Sequence, residues 1–183
     1  MTTLVEKTFR NLLTLLSSAF IASCATTGPA PIRTEAYVDL ERFSGEWFII
    51  ASIPTFLEKT AYNAVETYDL PVDGVVKTTF RFNEGSLDGP VKEHNPKGYV
   101  REGTGNAVWG MQFVWPVKAE YRVMHVGKDY EVSIVGRTKR DFLWIMARQP
   151  IIDESVYARL LNIAEQEGYD LSRIRKVPHR VPE

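Results

Sequence analysis

The feature that most constrains the fold is a series of short segments in which apolar and polar side chains alternate, between residues 47 and 148. Alternation with a period of two places successive side chains on opposite faces of a β-strand. Turn-forming residues separate the segments, and the sequence PVDG at residues 71–74 is the clearest turn. The pattern predicts eight strands: 47–52, 62–70, 75–83, 99–101, 107–115, 121–126, 130–136 and 142–148.

Consecutive strands without intervening helices indicate an antiparallel meander. Eight such strands are the number that closes into a barrel able to hold one small ligand, and an eight-stranded sandwich is the structural alternative. The period changes only after Pro150. There a helix is predicted from Asp153, a favourable N-cap, to Gly168, with Val156, Leu160 and Ile163 on one face. A short helical turn is also predicted over residues 39–43.

Length and charge limit the classes of function. The chain has 183 residues, which suits one domain with its own core. It carries 22 Lys and Arg against 23 Asp and Glu, a formal charge of −1. No basic field therefore points to nucleic acid as a partner.

The first 23 residues have the composition of a signal peptide. Lys7 and Arg10 precede an apolar run, residues 12–21, that is too short to span a bilayer as a helix. The run ends at Cys24 in the sequence IASC, which has the pattern of a bacterial lipobox, and Cys24 is the only cysteine. We expect lipidation of Cys24, a lipidated tether over residues 24–36 and a folded domain over residues 37–183; a chance cysteine after an ordinary signal is the alternative. Ala25 rather than Asp after the cysteine favours the outer membrane.

Two motifs at opposite ends of the alternating region show a family resemblance. Gly45 allows the chain to turn sharply into the first strand, and Trp47 follows it; Arg148 ends the last strand. These residues resemble the first and third signature motifs of the lipocalins, and residues 38–150 resemble the bacterial lipocalin and apolipoprotein D branch. The second motif is matched only loosely, by GKDY at residues 127–130. The resemblance implies an all-β, eight-stranded antiparallel up-and-down barrel with one C-terminal α-helix packed outside, and a contact between Trp47 and Arg148.

Alternation assigns candidate ligand-binding side chains to the inner face of such a barrel. Glu66 is the exceptional one, because it shares an otherwise apolar face with Tyr68; the opposite orientation of this strand is the alternative. A carboxylate there needs a cation, and a choline or amine headgroup is one source. The predicted ligand-binding residues are Glu66, Tyr68, Phe80, Phe82, Trp109, Met111, Phe113, Trp144 and Met146.

Motifs for catalysis, metal binding and cofactor binding are not found in the sequence. The three histidines, His94, His125 and His179, lie in separate segments without ligand spacing, so neither a metal site nor a cofactor is predicted. The resemblance implies a non-enzymatic protein that stores or transports fatty acids or lysophospholipids and is attached to the membrane through its lipid. The alternatives are an isomerase-type or epoxidase-type lipocalin enzyme and a structural lipoprotein with a filled lumen.

Overall fold

The computed structural model describes residues 29–180. The predicted signal peptide, Cys24 and the first part of the predicted tether lie outside the described residues. Ten strands form one sheet: β1 Gly45–Ile53, β2 Ala61–Tyr68, β3 Val75–Glu84, β4 Val91–His94, β5 Lys97–Val100, β6 Val108–Val114, β7 Val117–Val126, β8 Val132–Gly136, β9 Leu143–Ala147 and β10 Arg175–Lys176. The helices are α1 Leu40–Phe43, α2 Glu154–Gln166 and a 3-10 turn, Leu171–Arg173.

The sheet closes into the eight-stranded antiparallel barrel that the sequence predicts. The first half of β1 pairs with β2, and its second half pairs with β9, which joins the first and last barrel strands. Both β4 and β5 pair with β3, and they are separated only by Asn95 and Pro96, so together they form one interrupted barrel strand. β10 adds to the edge of β1 at Ala51 and Ser52 and lies outside this ring of eight.

Two differences from the predicted strands are larger than a shift of one or two residues at a strand end. β4 was missed because three of its four side chains are exposed, which leaves no apolar alternation to detect. β7 begins at Val117 rather than at residue 121, because Val114 and Val117 pair directly across a tight hairpin. The remaining predicted segments each contain a strand.

Two hydrophobic cores lie on the two sides of the barrel wall. The inner core joins α1 to inward side chains such as Trp47, Phe80 and Met146. The outer core lies beneath α2, where Tyr157, Leu160 and Ala164 pack on outward residues of β1, β8 and β9. Helix α2 therefore packs outside the barrel, as predicted. Its buried residues include Leu160, as predicted, but Tyr157 and Ala164 are buried in place of their neighbours Val156 and Ile163.

A side-chain cap begins α1, whereas α2 has no side-chain cap at its start and is followed by a glycine at its end. Asp39 accepts hydrogen bonds from the N–H groups of Glu41 and Arg42 and so caps α1. Helix α2 ends at Gln166, and Gly168 follows its C-cap, Glu167, with a φ of +81° that favours glycine. There the N–H of Tyr169 donates to the carbonyl of Ala164, which closes the last turn. Asp153 precedes α2 but its side chain makes no capping hydrogen bond.

The segment before α1 packs against the barrel, which differs from the predicted tether up to residue 36. Ile32 is buried in the outer core, and the N–H of Glu35 donates to the carbonyl of Val123 at 3.0 Å. Arg33 pairs with Glu167 at the end of α2. These contacts fix the chain from Ile32 onward. No helix within residues 29–180 is long and apolar enough to cross a membrane.

Candidate functional site

One end of the barrel is closed by the residues of the two sequence motifs. Gly45 has a φ of +92°, which allows the turn between α1 and β1. Trp47 is fully buried, and its Nε1 donates to the carbonyl of Phe43 at 2.8 Å. The guanidinium of Arg148 lies 3.8 Å from the centre of the indole ring. Its Nη1 and Nη2 donate to the carbonyls of Glu46, Arg42 and Ser44 at 2.6, 2.7 and 3.0 Å.

A cavity of about 540 Å³ occupies the rest of the barrel and opens at the opposite end. Its mouth lies between the loops at residues 54–60, the β6–β7 hairpin and residues 137–142. This volume falls within the roughly 300–1,000 Å³ typical of small-molecule pockets. The lumen is therefore open, which differs from the filled lumen of the structural alternative.

Seven of the nine predicted ligand-binding residues line this cavity. Alternation along the strands brings them together because every second side chain of a barrel strand faces the lumen. They are Glu66, Tyr68, Phe80, Met111, Phe113, Trp144 and Met146.

Phe82 and Trp109 do not line the cavity, and their prediction as wall residues is wrong. Phe82 packs against Phe80, with ring centroids 5.2 Å apart, and stacks on His94. Trp109 lies near the closed end, where its Nε1 donates to the carbonyl of Asn106 at 2.6 Å. Tyr121 stacks on the Trp109 indole with centroids 5.3 Å apart and takes its place in the wall.

Several wall residues were not predicted, and they divide into two groups. Tyr121 and Phe142 belong to predicted strands, so the alternation that identified Trp144 could have found them. Glu58 and Leu57 come from the loop between β1 and β2, where no alternation exists. The backbone carbonyls of Glu58 and Ala61 accept hydrogen bonds from Nη2 of Arg175, and these contacts position the loop over the mouth.

Two of the carboxyl groups that line the cavity, those of Glu66 and Glu58, have a raised pKa. The pKa of Glu66 is raised to about 8, mainly by burial and to a smaller extent by the nearby charge of Glu58, while the hydroxyl of Thr78 opposes the shift. Burial also raises the pKa of Glu58, although Oε1 of Glu58 accepts hydrogen bonds from the N–H of Thr55 at 2.9 Å and Nε1 of Trp144 at 3.1 Å. Glu66 is 7% exposed, and its Oε1 has no hydrogen-bond partner within residues 29–180.

Two tyrosines add hydroxyl groups beside Glu66. The hydroxyls of Tyr68 and Tyr121 are hydrogen-bonded to each other, and Oη of Tyr68 lies 3.8 Å from Sδ of Met146. Burial raises the pKa of both phenols, so both remain protonated at neutral pH. No cluster of three or more His, Cys, Asp or Glu side chains suited to a metal ion occurs in the described part of the chain.

Comparison with known proteins identifies the family. A family model described as a lipocalin-like domain matches residues 38–179. The chain is a lipocalin. It is 28% identical over 168 residues to the outer membrane lipoprotein Blc of Escherichia coli K12, covering 88% of this chain and 92% of the relative. It is also 29% identical over 153 residues to temperature-induced lipocalin-1 of Arabidopsis thaliana, covering 77% and 79%. The predicted resemblance to bacterial lipocalins is confirmed.

Solved lipocalin structures confirm the fold. Insecticyanin from the tobacco hornworm Manduca sexta superposes with a TM-score of 0.65 at 14% identity, covering 85% of this chain and 87% of that one. Lobster apocrustacyanin A1 superposes with a TM-score of 0.63 at 9% identity, covering 82% and 92%. The barrel, its cavity and the family together support binding of a small hydrophobic ligand by this lipocalin.

The rim of the lipocalin's cavity is apolar and exposed. Phe56, Phe113, Val114 and Val117 line the mouth and are all exposed, and Trp115 at the hairpin tip is 82% exposed. Single exposed apolar residues are normal, but a group around one opening indicates an interaction site. The described chain also begins at this end of the barrel, because Nη1 of Arg140, in the β8–β9 loop, donates to the carbonyl of Ala30 at 3.0 Å.

Proposed function

We propose that this lipocalin binds the acyl chains of fatty acids or lysophospholipids in its barrel. The observation that carries the proposal is the open cavity of about 540 Å³ with Phe80, Met111, Phe113 and Met146 in its wall. Burying a methylene gains about 0.8 kcal/mol, so roughly ten methylenes supply about 8 kcal/mol before ordering costs. A free energy of that size corresponds to a dissociation constant of about 1 μM.

We further propose that the protein works from a bacterial outer membrane, attached by lipid on Cys24. Its similarity to lipoproteins named for the outer membrane supports this location. The position of the mouth supports it as well. Cys24 precedes Pro29 by five positions, and the segment beginning at Pro29 lies beside the β8–β9 loop at the open end. An anchor there would hold the apolar rim near the bilayer, where a lipid could pass between membrane and cavity.

Lipid binding is tested by titrating a fluorescent fatty acid and by mass spectrometry of small molecules that copurify with the protein. Ala119 lies in the cavity wall, so Ala119→Trp should obstruct the lumen and weaken binding at least tenfold. Ala158→Trp introduces the same side chain on the exposed face of α2 and is the matched control. A wild-type protein that carries no lipid and binds none would contradict the proposal.

The anchor is tested by cell fractionation of Cys24→Ser. This variant should lose the membrane association of the wild type, because a single cysteine supplies the attachment point. Ala25→Asp keeps the cysteine and serves as the control: it should remain lipidated but move away from the outer membrane. Recovery of a processed, unlipidated Cys24→Ser protein in the membrane fraction would exclude the anchor.

The absence of enzymatic activity remains a prediction. An isomerase-type reaction would need a titratable group beside the substrate, and Glu66 and the tyrosine pair occupy such positions. If the protein binds and carries lipid without converting it, a bound lipid should be recovered chemically unchanged after incubation. Conversion that depends on Glu66 would favour the enzyme instead.

A further inference from the structure

Three polar groups of the cavity, the carboxyl of Glu66 and the hydroxyls of Tyr68 and Tyr121, lie at its floor, away from the mouth. Strand β2 runs from the open end at Ala61 to the closed end at Tyr68. Glu66 pairs with Trp47, the residue that closes the barrel, and with Phe80 on its other side. An acyl lipid that leaves its charged headgroup in water would therefore bring the far end of its chain to Glu66. This inference rests on the proposed binding of acyl chains.

Hydrogen-bond donors and acceptors are not balanced at this floor. Oε1 of Glu66 is buried without a partner in the described residues, whereas buried polar atoms of folded proteins are almost always hydrogen-bonded. The two tyrosine hydroxyls supply two donors but share only one hydrogen bond. The other donor has a thioether, Sδ of Met146, as its neighbour, and sulfur is a weak acceptor.

The charges around the floor favour a neutral ligand group. Burial and the neighbouring Glu58 hold the pKa of Glu66 near 8, so the carboxyl is mostly protonated at neutral pH and can donate a hydrogen bond. An ammonium headgroup, which the sequence suggested as the partner of Glu66, would need the ionised form of the carboxyl group, which burial disfavours. An anionic group at the floor would meet no free cation of the described chain, since Arg148 lies behind Trp47 and is bound to backbone carbonyls. The other arginine at the cavity, Arg137, belongs to the β8–β9 loop at the mouth.

We propose that Glu66, Tyr68 and Tyr121 form a subsite for a neutral oxygen group, a hydroxyl or a carbonyl, near the far end of a bound acyl chain. A hydroxyl suits the floor because it accepts a hydrogen bond from the tyrosine pair and donates one to the unpartnered Oε1 of Glu66. The preferred ligands would then be hydroxylated or oxidised fatty acids or lysophospholipids rather than saturated ones.

The test compares ω-hydroxy fatty acids of several chain lengths with the unsubstituted acids of the same lengths, palmitic acid among them, by competition against one fluorescent fatty acid. The wild type should bind at least one hydroxy acid roughly tenfold more tightly than the unsubstituted acid of equal length, the effect of about one added hydrogen bond. Glu66→Gln keeps a neutral donor and acceptor and should keep this preference. Glu66→Met has a similar shape without hydrogen-bonding atoms and should reverse it.

A second variant separates the subsite from folding defects. Tyr121→Phe keeps the ring against Trp109 and removes only the hydroxyl, so it should reduce the preference while palmitic acid still binds. Equal or weaker binding of every hydroxy acid to the wild type, or an unchanged preference in Glu66→Met, would overturn the subsite while leaving acyl-chain binding intact. Failure of the wild type to bind either kind of acid would overturn the proposed function and the subsite together.

Discussion

The two ends of the barrel use the same residue type in opposite ways. At the closed end, Trp47 is fully buried, its Nε1 is hydrogen-bonded and Arg148 covers its ring. At the open end, Trp115 is 82% exposed at the tip of the β6–β7 hairpin. A side chain that is buried and hydrogen-bonded contributes to the free energy of unfolding. An exposed tryptophan contributes little to stability and is available for contacts outside the protein.

The cavity between the two ends contains a group that lowers the free energy of unfolding, which neither end does. Glu66 belongs to the barrel wall, yet no cation of the described chain lies near enough to lower the pKa of its buried carboxyl group. Its burial is unfavourable for the ionised form, and no contact in the described chain compensates fully. We infer that the closed end stabilises the barrel and that the open end makes external contacts. The polar floor of the cavity serves ligand binding and lowers the free energy of unfolding.

The largest expected effect is a difference between the two tryptophans. Trp47→Ala should lower the free energy of unfolding by about 3–5 kcal/mol, as for other buried aromatic residues. Trp115→Ala should change it by less than about 0.5 kcal/mol, the range for surface positions. Chemical denaturation of both variants makes the comparison. Similar losses in the two variants would show that the ends are not specialised as described.

The next effect concerns Glu66 and depends on pH. Because the folded-state pKa is raised from 4.5 to about 8, the folded state binds more protons than the unfolded state between these values. Stability should therefore fall as pH rises through this window, and Glu66→Gln should remove that loss. At pH 7 the variant should be more stable than the wild type by about 3 kcal/mol, from 1.36 kcal/mol per pKa unit.

Denaturation curves at several pH values measure this difference. The advantage of Glu66→Gln should be small near pH 4.5, grow up to pH 8 and then remain constant. Glu84→Gln provides a control, since Glu84 is exposed and pairs only with Lys92 at the surface. An advantage of Glu66→Gln that does not vary with pH would mean that the Glu66 carboxyl is already ionised in weak acid.

A smaller effect is expected from Arg148→Lys. Lysine keeps the charge but cannot donate to several carbonyls in the planar arrangement of the guanidinium, so about 1–2 kcal/mol of stability should be lost. Arg42→Lys is the matched control, because Arg42 also lies over a ring, that of Tyr130 at 4.3 Å, but on the exposed surface. Equal changes in the thermal stability of the two variants would show that the contacts of Arg148 over Trp47 stabilise the protein no more than an exposed contact does.

Alternation could predict most of the barrel because the lumen imposes a period of two on every strand. Alternation does not predict the structure where another constraint replaces that period. β4 presents exposed side chains and carries no apolar signal, and Asn63, at a φ of +48°, lies where the β2–β3 register shifts. The N-terminal segment is predicted as a tether because a glycine and two prolines, Gly28, Pro29 and Pro31, are typical of a linker, yet the buried side chain of Ile32 attaches it to the outer core.

The cavity wall was predictable along the strands and not between them. Glu66 was identified because one polar residue interrupts an apolar face. Trp109 was wrongly assigned to the cavity wall. Alternation predicts the face of the sheet on which a side chain lies but not its position along the barrel axis, and the Trp109 ring packs near the closed end. Glu58 belongs to a loop whose position depends on Arg175, more than one hundred residues later in the chain. Contacts of this kind cannot be derived from local sequence patterns.

The pairing of β1 with β9 determines when the closed end can assemble during folding. Trp47 and Arg148 belong to the first and last strands of the barrel, so their contact forms only after the intervening strands have brought the two edges together. Proteins dominated by such distant pairings fold on the millisecond-to-second scale. An interaction made after the rate-limiting step restrains unfolding without accelerating folding. The contact between Arg148 and Trp47 should therefore slow unfolding. In stopped-flow measurements, Arg148→Lys should raise the unfolding rate and leave the folding rate nearly unchanged. The dependence of the two rates on denaturant concentration should not become steeper.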